Sequence, residues 1–236
     1  MNIIIPQRLT VAKHLNEALL CDVGVLIRLL PKPLLEMAHN RIHLQYLKDT
    51  KESETISSNQ NTHLFELCQE VQQKLNYEHP INYLLCHREF ISCSGFSSPE
   101  GQDASVLIIN SGAANNLSDD ELRWRIGYIL GHIINRDAEL GTLYDTFCTH
   151  LEEILSTEMR RNMCYYDMLA DLEADRYGLL ACGSIDVAVH SLNEQVSVYP
   201  MRVEALKLYA QATSDYALCR QLKPILDKLK NYVKYT

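Results

Sequence analysis

A histidine and a group of carboxylates are the residues of this chain whose types and spacing could support chemistry. His132 lies in an apolar segment, and Asp167, Asp171 and Asp175 recur every four residues in a later segment. Imidazoles and carboxylates bind zinc, and both groups can transfer protons in catalysis. Each also has a structural interpretation, because a single histidine on a helix is more often a hydrogen-bonded core residue and an acidic row is more often a solvated edge. The sequence around these residues has to distinguish the two interpretations.

Two helices are predicted to position these residues. The first covers residues 118–136, and it begins where Ser118 and Glu121 have the spacing of a capping box. The acidic residues of its first turn suit the positive end of the helix dipole. The second helix is predicted over residues 159–182, and Gly183 provides its C-terminal stop. The histidine therefore lies on the first helix and the aspartates lie on the second.

The two segments resemble the HtpX-like family of gluzincin zinc metallopeptidases, which are relatives of the CAAX prenyl endopeptidases. The matching stretches are Asp120-Glu121-Leu122, Leu130-Gly131-His132-Ile133, and Glu173-Ala174-Asp175-Arg176 with Gly178. The run 106–112 resembles the edge strand of the family and the Ser-Gly turn that follows it. The resemblance covers residues 82–195, and it implies a zincin-like core in which a small sheet packs against the two helices.

In this family two histidines one helical turn apart bind zinc, and a glutamate beside the first histidine acts as general base. A glutamate on the second helix completes the ligand set. The resemblance places Tyr128 at the first histidine, Ile129 at the general base, His132 at the second histidine and Asp171 at the third ligand. Isoleucine cannot accept a proton, tyrosine is a poor neutral ligand, and aspartate is shorter than glutamate. These four vestigial positions imply that no residue is catalytic and that no metal or other cofactor is bound.

Without a metal, the carboxylate of Asp171 needs other partners, because a buried charge is costly when it has none. We expect Asp171 to accept hydrogen bonds from His132 and from the hydroxyl of Tyr128. Arg125, one turn before Tyr128, is expected to add charge compensation. The later run Tyr199-Pro200-Met201-Arg202 resembles a His-Pro…Arg segment of the family, with tyrosine at the histidine. The resemblance implies that a residue near the substrate has also been altered.

Composition and charge exclude several classes of protein. The 236 residues carry a net charge of −8, whereas a nucleic-acid-binding protein normally presents a basic face, so no nucleic acid is expected as a partner. The apolar run 15–30 contains Glu17, Asp22 and Arg28, which argues against membrane insertion. None of the eight cysteines forms a C-x-x-C pair, and most have apolar neighbours, as buried free thiols do. A reducing, cytoplasmic location is therefore expected.

Helix-forming residues dominate the chain, and glycine and proline are scarce, at 9 and 7 residues. We therefore predict a helix-dominated α+β fold. A helical extension is predicted over residues 1–50, a polar linker over 51–62 and the metallopeptidase-like domain over 63–236. Within that domain the extended runs 82–91 and 104–110 are predicted to form the small sheet, and further helices follow the helix pair.

The leading functional hypothesis is a pseudopeptidase, a metallopeptidase-like protein without catalysis that binds another protein as a scaffold, adaptor or subunit of a larger complex. The alternative is an active zinc-dependent endopeptidase with an irregular ligand set of His132 and Asp171, joined by Asp137, Asp167 or Glu173. A third hypothesis is a purely structural subunit. The 13 tyrosines fit a binding surface, although they can equally well pack inside the helices.

Overall fold

The structure, a computed structural model, describes residues 48–96, 104–135, 157–192, 198–212 and 215–235. Most of the predicted N-terminal extension and also Asp137 lie outside the described residues. The elements in chain order are β1 (Ser53–Thr55), α1 (Thr62–Lys74), β2 (Ile81–Cys86), β3 (Cys93–Phe96), β4 (Ser105–Asn110), α2 (Ser111–Asn116), α3 (Asp119–Asn135), α4 (Thr157–Cys182), α5 (Ile185–Ser191), α6 (Tyr199–Gln211) and α7 (Asp215–Tyr235). The prediction of a helix-dominated α+β fold with a small sheet is confirmed.

The chain divides into two compact units. The sheet unit contains the described residues of 41–139 and 174–192, and the helical unit contains those of 140–173 and 193–236. The division falls inside α4, between Glu173 and Ala174. The last part of α4 packs with elements that precede it in the chain, and the predicted domain boundaries stay a prediction.

The sheet unit contains a mixed four-stranded sheet with the strand order β1-β2-β4-β3. The central strands β2 and β4 are parallel to each other. Strand β1 pairs antiparallel with β2 at one end of the sheet, and β3 pairs antiparallel with β4 at the other end. All residues of β4 are buried, as the apolar run Val106-Leu107-Ile108-Ile109 favours for a strand paired on both sides. The resemblance predicted that this run is an edge strand, and that prediction is wrong. Among the described strands, β3 lies next to β4 and forms the end of the sheet on that side.

The segment 51–62, predicted to be a polar linker, contributes β1 to the sheet instead. Its residues Ser53 to Thr55 pair with β2, and Ile56, which follows them, is only 3% exposed. The hydroxyl of Ser53 also donates to the carbonyl of Asp49 at 2.6 Å. The exposed polar residues of this strand resemble those of a linker because a strand at the end of a sheet keeps much of its surface in water.

Helices α1 and α3 cover the sheet unit's core with apolar faces at helical spacing. In α1 this face consists of Leu64, Leu67, Cys68 and Val71, and in α3 it includes Leu122, Ile126, Leu130 and Ile133. The ammonium group of Lys74, in the last turn of α1, donates to the carbonyl of Ala181 at 2.8 Å near the end of α4. The predicted stop at Gly183 is confirmed, since α4 ends at Cys182 and Gly183 has a φ of 73°.

The helical unit contains the first part of α4 together with α6 and α7. In α7 the residues Leu218, Leu222, Ile225 and Leu229 are buried, and they recur at the spacing of one helix face. Lys228 of this helix binds Glu204 of α6 at 3.2 Å, and both side chains remain largely in water. Within the described ranges, no helix is both long enough and apolar enough to cross a membrane.

Candidate functional site

The capping box predicted at the start of α3 is present. Both the backbone amide and the hydroxyl of Ser118 donate to Oε2 of Glu121, at 2.8 and 2.6 Å. The amide of Glu121 approaches Oγ of Ser118 in return, at 3.4 Å. These hydrogen bonds stabilise the ionised carboxylate, and they lower the pKa of Glu121 below its ordinary value of 4.5. The helix that carries the candidate site therefore has a fixed starting point.

Three rings form a row along one face of α3, at Trp124, Tyr128 and His132. The Trp124 and Tyr128 rings stack with their centroids 5.3 Å apart and their planes at 18°. The Tyr128 and His132 rings meet edge to face at 4.7 Å and 84°. Position 128, which would carry the first zinc-binding histidine in the family, is thus occupied by a half-buried phenol ring that contacts a ring on each side.

Ile129 packs against the backbone of strand β3. A Cβ atom placed on Gly95 of this strand would lie 2.5 Å from Cγ2 of Ile129 and 2.8 Å from Cδ1 of Ile133. Helix and strand can approach this closely because residue 95 is glycine. The position that would carry the general base therefore holds an aliphatic side chain in van der Waals contact with the sheet.

Glycines allow α3 to cross the last part of α4 at short range. A Cβ on Gly127 would lie 2.8 Å from the carbonyl oxygen of Tyr177, and one on Gly131 would lie 2.7 Å from Cδ2 of the same residue. On the other helix, a Cβ on Gly178 would lie 2.7 Å from Nε1 of Trp124. The two helices are therefore in close contact along the last part of α4.

Asp171 belongs to the helical unit, where its carboxylate binds Arg202. The Nη1 to Oδ2 distance is 3.0 Å, and the Arg202 and Asp171 side chains are 10% and 26% exposed. The sequence predicted no contact between these two residues. The expected hydrogen bonds of Asp171 with Tyr128 and His132 stay a prediction.

The acidic row on α4 changes its surroundings along the helix. Asp167 is exposed, Asp171 is half-buried, and Asp175 is fully buried together with its neighbours Glu173 and Arg176. A solvated edge is therefore the wrong interpretation for Asp175. The Glu-Ala-Asp-Arg stretch lies in the middle of α4, and its charged side chains are buried. Charged side chains are rarely buried unless they have partners within the fold.

Arg125 lies beside Trp124 and strand β3. The central carbon of its guanidinium is 5.9 Å from the centroid of the Trp124 ring. Burial raises the pKa of the Cys93 thiol to about 12, and the positive charge of Arg125 opposes that rise. The sequence-based prediction assigned Arg125 to charge compensation near Tyr128, and that role stays a prediction.

The donor set on α3 does not fit the zinc site of the family. His132 supplies one imidazole, whereas Tyr128 and Ile129 supply neither a second imidazole nor a base. Throughout the part of the chain that the structure describes, no group of three or more His, Cys, Asp and Glu side chains is arranged to hold a metal ion.

Sequence reasoning missed the loop 87–92, which was predicted to continue the preceding strand. Strand β2 ends at Cys86, and the loop presents Phe90 and Ile91 to water, 56% and 46% exposed. No pattern in the sequence distinguished the exposed apolar pair from a buried one.

The tyrosines, which the sequence offered as a binding surface, include core residues, since Tyr177 and Tyr209 are 4% and 1% exposed.

Comparison of the chain with protein-family models, with curated proteins and with solved structures gives no match. The resemblance to zinc metallopeptidases stays a prediction from the sequence motifs.

Proposed function

We propose that this protein is a catalytically inactive relative of the HtpX-like zinc metallopeptidases that acts by binding another protein. The observation that carries the proposal is the packing of Tyr128 and Ile129 on α3. Both positions would serve the zinc site in an active member, and here one holds a ring between two other rings and the other contacts Gly95 of β3. Side chains that have been incorporated into packing in this way indicate a retained scaffold without retained chemistry.

Hydrolysis by a zinc metallopeptidase requires a general base and a bound metal. A general base typically contributes about 100- to 10,000-fold to the rate, and the isoleucine at position 129 has no atom that accepts a proton. A bound metal supplies the activated water in such enzymes, and it needs several imidazole or carboxylate ligands. His132 is the family ligand that this helix keeps, so the proposal assigns no catalytic step to the chain.

A binding role is consistent with the position of strand β3. In a peptidase scaffold the substrate groove is bordered by the end of a sheet, which can pair with an extended segment of another protein. Among the described strands, β3 lies at the end of the sheet nearest to α3. We therefore assign the protein the role of a scaffold, an adaptor or a subunit of a larger complex, with a protein as its partner.

The zinc content of freshly purified protein tests the loss of the metal site. It should be measured by elemental analysis for the wild type, for His132→Ala and for the control His63→Ala, whose exposed imidazole binds Asp119 outside the candidate site. We expect negligible zinc in all three and no zinc-dependent cleavage of an unfolded protein substrate. Stoichiometric zinc that is lost in His132→Ala and kept in His63→Ala would overturn the proposal in favour of an active endopeptidase with an irregular ligand set.

Co-purification from the native host separates an adaptor from a purely structural subunit. A subunit is expected to appear with the same partners at a fixed stoichiometry in every preparation. An adaptor is expected to exchange partners, with a stoichiometry that varies between preparations.

A further inference from the structure

Helices α1 and α3 lie on the same face of the sheet, which we call the first face. Tyr83, Leu107 and Gly95 are direct partners on β2, β4 and β3, so these three positions point to one side of the sheet. On that side the hydroxyl of Tyr83 accepts from Nε2 of Gln69 in α1 at 3.2 Å, and Gly95 adjoins Ile129 of α3. Both helices therefore cover the first face.

The opposite face of the sheet, the second face, is apolar and buried. Successive residues of a strand point to opposite sides, so this face carries the alternate residues of β2 and β4, Leu84, Cys86, Val106 and Ile108. Cys86, Val106 and Ile108 are only 1%, 4% and 2% exposed, and Leu84 packs against them. Within the described ranges, all members of this cluster belong to the two strands. Neighbours within a sheet leave its faces open to water, so a further element has to cover this one.

A helical turn lies on the side of the second face, directly before β1. Residues 48–51 are helical, and the strand that follows them begins at Ser53. Ser53 is the partner of Cys86 in the pairing of β1 with β2, so its side chain shares the second face. The hydroxyl of Ser53 donates to the carbonyl of Asp49 in this turn at 2.6 Å, and the carboxylate of Asp49 binds Arg88 at 2.7 Å. The turn is thus attached to β1 and to the residues that follow β2.

The residues that precede this turn are suited to cover the second face. The sheet unit takes in residues between 41 and 139, and three stretches of that range lie outside the described residues, namely 41–47, 97–103 and 136–139. The second and third stretches contain no large apolar residue. The first stretch contains four, which are Ile42, Leu44, Tyr46 and Leu47.

The buried side of the turn indicates which of these residues would face the sheet. Asp49 is buried, whereas Lys48 and Lys51 on the other sides of the turn are exposed. In a helix that continues toward the N-terminus, Tyr46 and Ile42 lie three and seven residues before Asp49, on the same side. The buried side of this helix is therefore apolar where it extends beyond the turn.

We propose that residues 41–47 continue the helix that ends at Lys51, and that this helix covers the second face of the sheet with Ile42 and Tyr46. The parallel strands β2 and β4 then have helices on both faces, as is usual for parallel strands. This inference goes beyond the proposed function. It makes the end of the predicted N-terminal extension a part of the fold, so that the second face is closed to a partner protein.

The thiol of Cys86 is a natural reporter for this cover, because it lies on the second face. Cys68, in the buried face of α1, is 0% exposed and reports on the first face. The wild type and the full-length variant Ile42→Asp/Tyr46→Asp are treated with iodoacetamide under native conditions, and mass spectrometry measures the alkylation rate of each thiol. Carboxylates without partners are costly to bury, so the helix should separate from the face. We expect Cys86 to react at least about tenfold faster in the variant and Cys68 to react at the wild-type rate.

Two further variants serve as controls. Asn40→Asp/His43→Asp places the same charges on the opposite side of the helix and should leave Cys86 protected. Leu143→Asp/Phe147→Asp alters the apolar residues of a later stretch, which is the rival cover, and should also leave Cys86 protected. An unchanged Cys86 rate in Ile42→Asp/Tyr46→Asp, or a faster rate in Leu143→Asp/Phe147→Asp alone, would overturn the proposal.

A cross-link tests the same contact without a destabilising charge, which matters if the aspartate variant exposes both thiols by unfolding. Benzoyl-phenylalanine replaces Tyr46 in the otherwise unchanged chain, and mass spectrometry of the irradiated protein locates the attachment. We expect an attachment within the same chain, to residues of β2 or β4. An attachment to other parts of the chain would refute the contact. A cross-link between two chains would refute it as well, since it would assign the cover to a second copy.

Discussion

Ser118 and Glu121 bind each other at the N-terminus of α3, and the sequence predicts this pair correctly. The exchange of hydrogen bonds satisfies backbone amides that have no partner within the first turn of a helix. Because Glu121 accepts two hydrogen bonds as a carboxylate, its pKa in the folded protein is lowered below 4.5. The contribution of this cap to stability is therefore fully present above the unfolded-state pKa and is lost as the pH falls through the lower, folded-state value.

We expect Ser118→Ala and Glu121→Ala each to lower the free energy of unfolding by about 1 kcal/mol at pH 7, because each removes one side of the cap. The difference between Glu121→Ala and the wild type should shrink as the pH falls below 4.5. Urea denaturation at a series of pH values measures both effects.

The double variant Ser118→Ala/Glu121→Ala is the control. It should lose about as much as either single variant, since both residues act through the same contact. Fully additive losses, or a difference for Glu121→Ala that grows in acid, would contradict the capping role.

Residues whose role depends on near neighbours in the chain were predictable in this way. The cap at Ser118 and the stop at Gly183 both follow from local backbone requirements. The ion pair of Asp171 with Arg202 was not predictable, because it joins residues on different helices and nothing in their spacing identifies the partner. The same holds for the surroundings of Asp175, whose burial is set by packing rather than by the acidic row to which it belongs.

At the scale of elements, the helices were predicted better than the strands. The predicted ranges 118–136 and 159–182 lie within a few residues of α3 and α4, because the capping box at Ser118 marks where one helix begins and Gly183 marks where the other ends. Strands β1 and β3 have three and four residues, so they carry little pattern of their own and depend on pairing with β2 and β4. The prediction that β4 is an edge strand was wrong because β3, which the sequence did not reveal, pairs with β4 on the side away from β2.

The crossing of α3 and α4 depends on glycines, and this gives a prediction for Gly127. We expect Gly127→Ala to lower the free energy of unfolding by about 2 kcal/mol, because the added methyl group would overlap the Tyr177 backbone and the Ala181 side chain. The sign is informative, since alanine in an uncrowded helix is about 1 kcal/mol more favourable than glycine. Urea denaturation of the variant provides the measurement.

Asn115→Ala, at an exposed position of α2, serves as the matched control and should change stability by less than about 0.5 kcal/mol. If Gly127→Ala were as stable as the wild type, the close crossing of the two helices would be refuted.

At the scale of the whole molecule, α4 belongs to both units, since the division lies between Glu173 and Ala174. A single helix gains most of its stability from packing along its length, so loss of one unit removes support from the part of α4 that lies in the other. The sequence predicted α4 as one helix, but it could not indicate this division. His132 and Asp171 consequently fall in different units, which a comparison of motif spacings alone could not reveal.

The shared helix predicts that the two units unfold together. Trp124, the one tryptophan of the chain, is buried in the sheet unit, so its fluorescence reports on that unit. Arg202→Met removes a charged hydrogen bond in the helical unit and should cost about 2 kcal/mol. We expect the Trp124 fluorescence transition to shift to the same lower temperature as the far-ultraviolet circular dichroism, which reports on all helices.

Glu204→Gln is the control in the same unit, because it alters the exposed pair with Lys228 and should shift neither transition measurably. A Trp124 transition that stayed at the wild-type temperature while the dichroism signal moved would show that the units unfold independently.

The contact of Ile129 and Ile133 with the backbone of Gly95 also constrains how position 129 can change over evolutionary time. A glutamate there would lose methyl contacts and place a carboxylate against the strand, so a descendant with that single change would be less stable before it gained any advantage. Substitutions that keep an apolar side chain at position 129 avoid this loss of stability, so the contact favours retention of an apolar residue there.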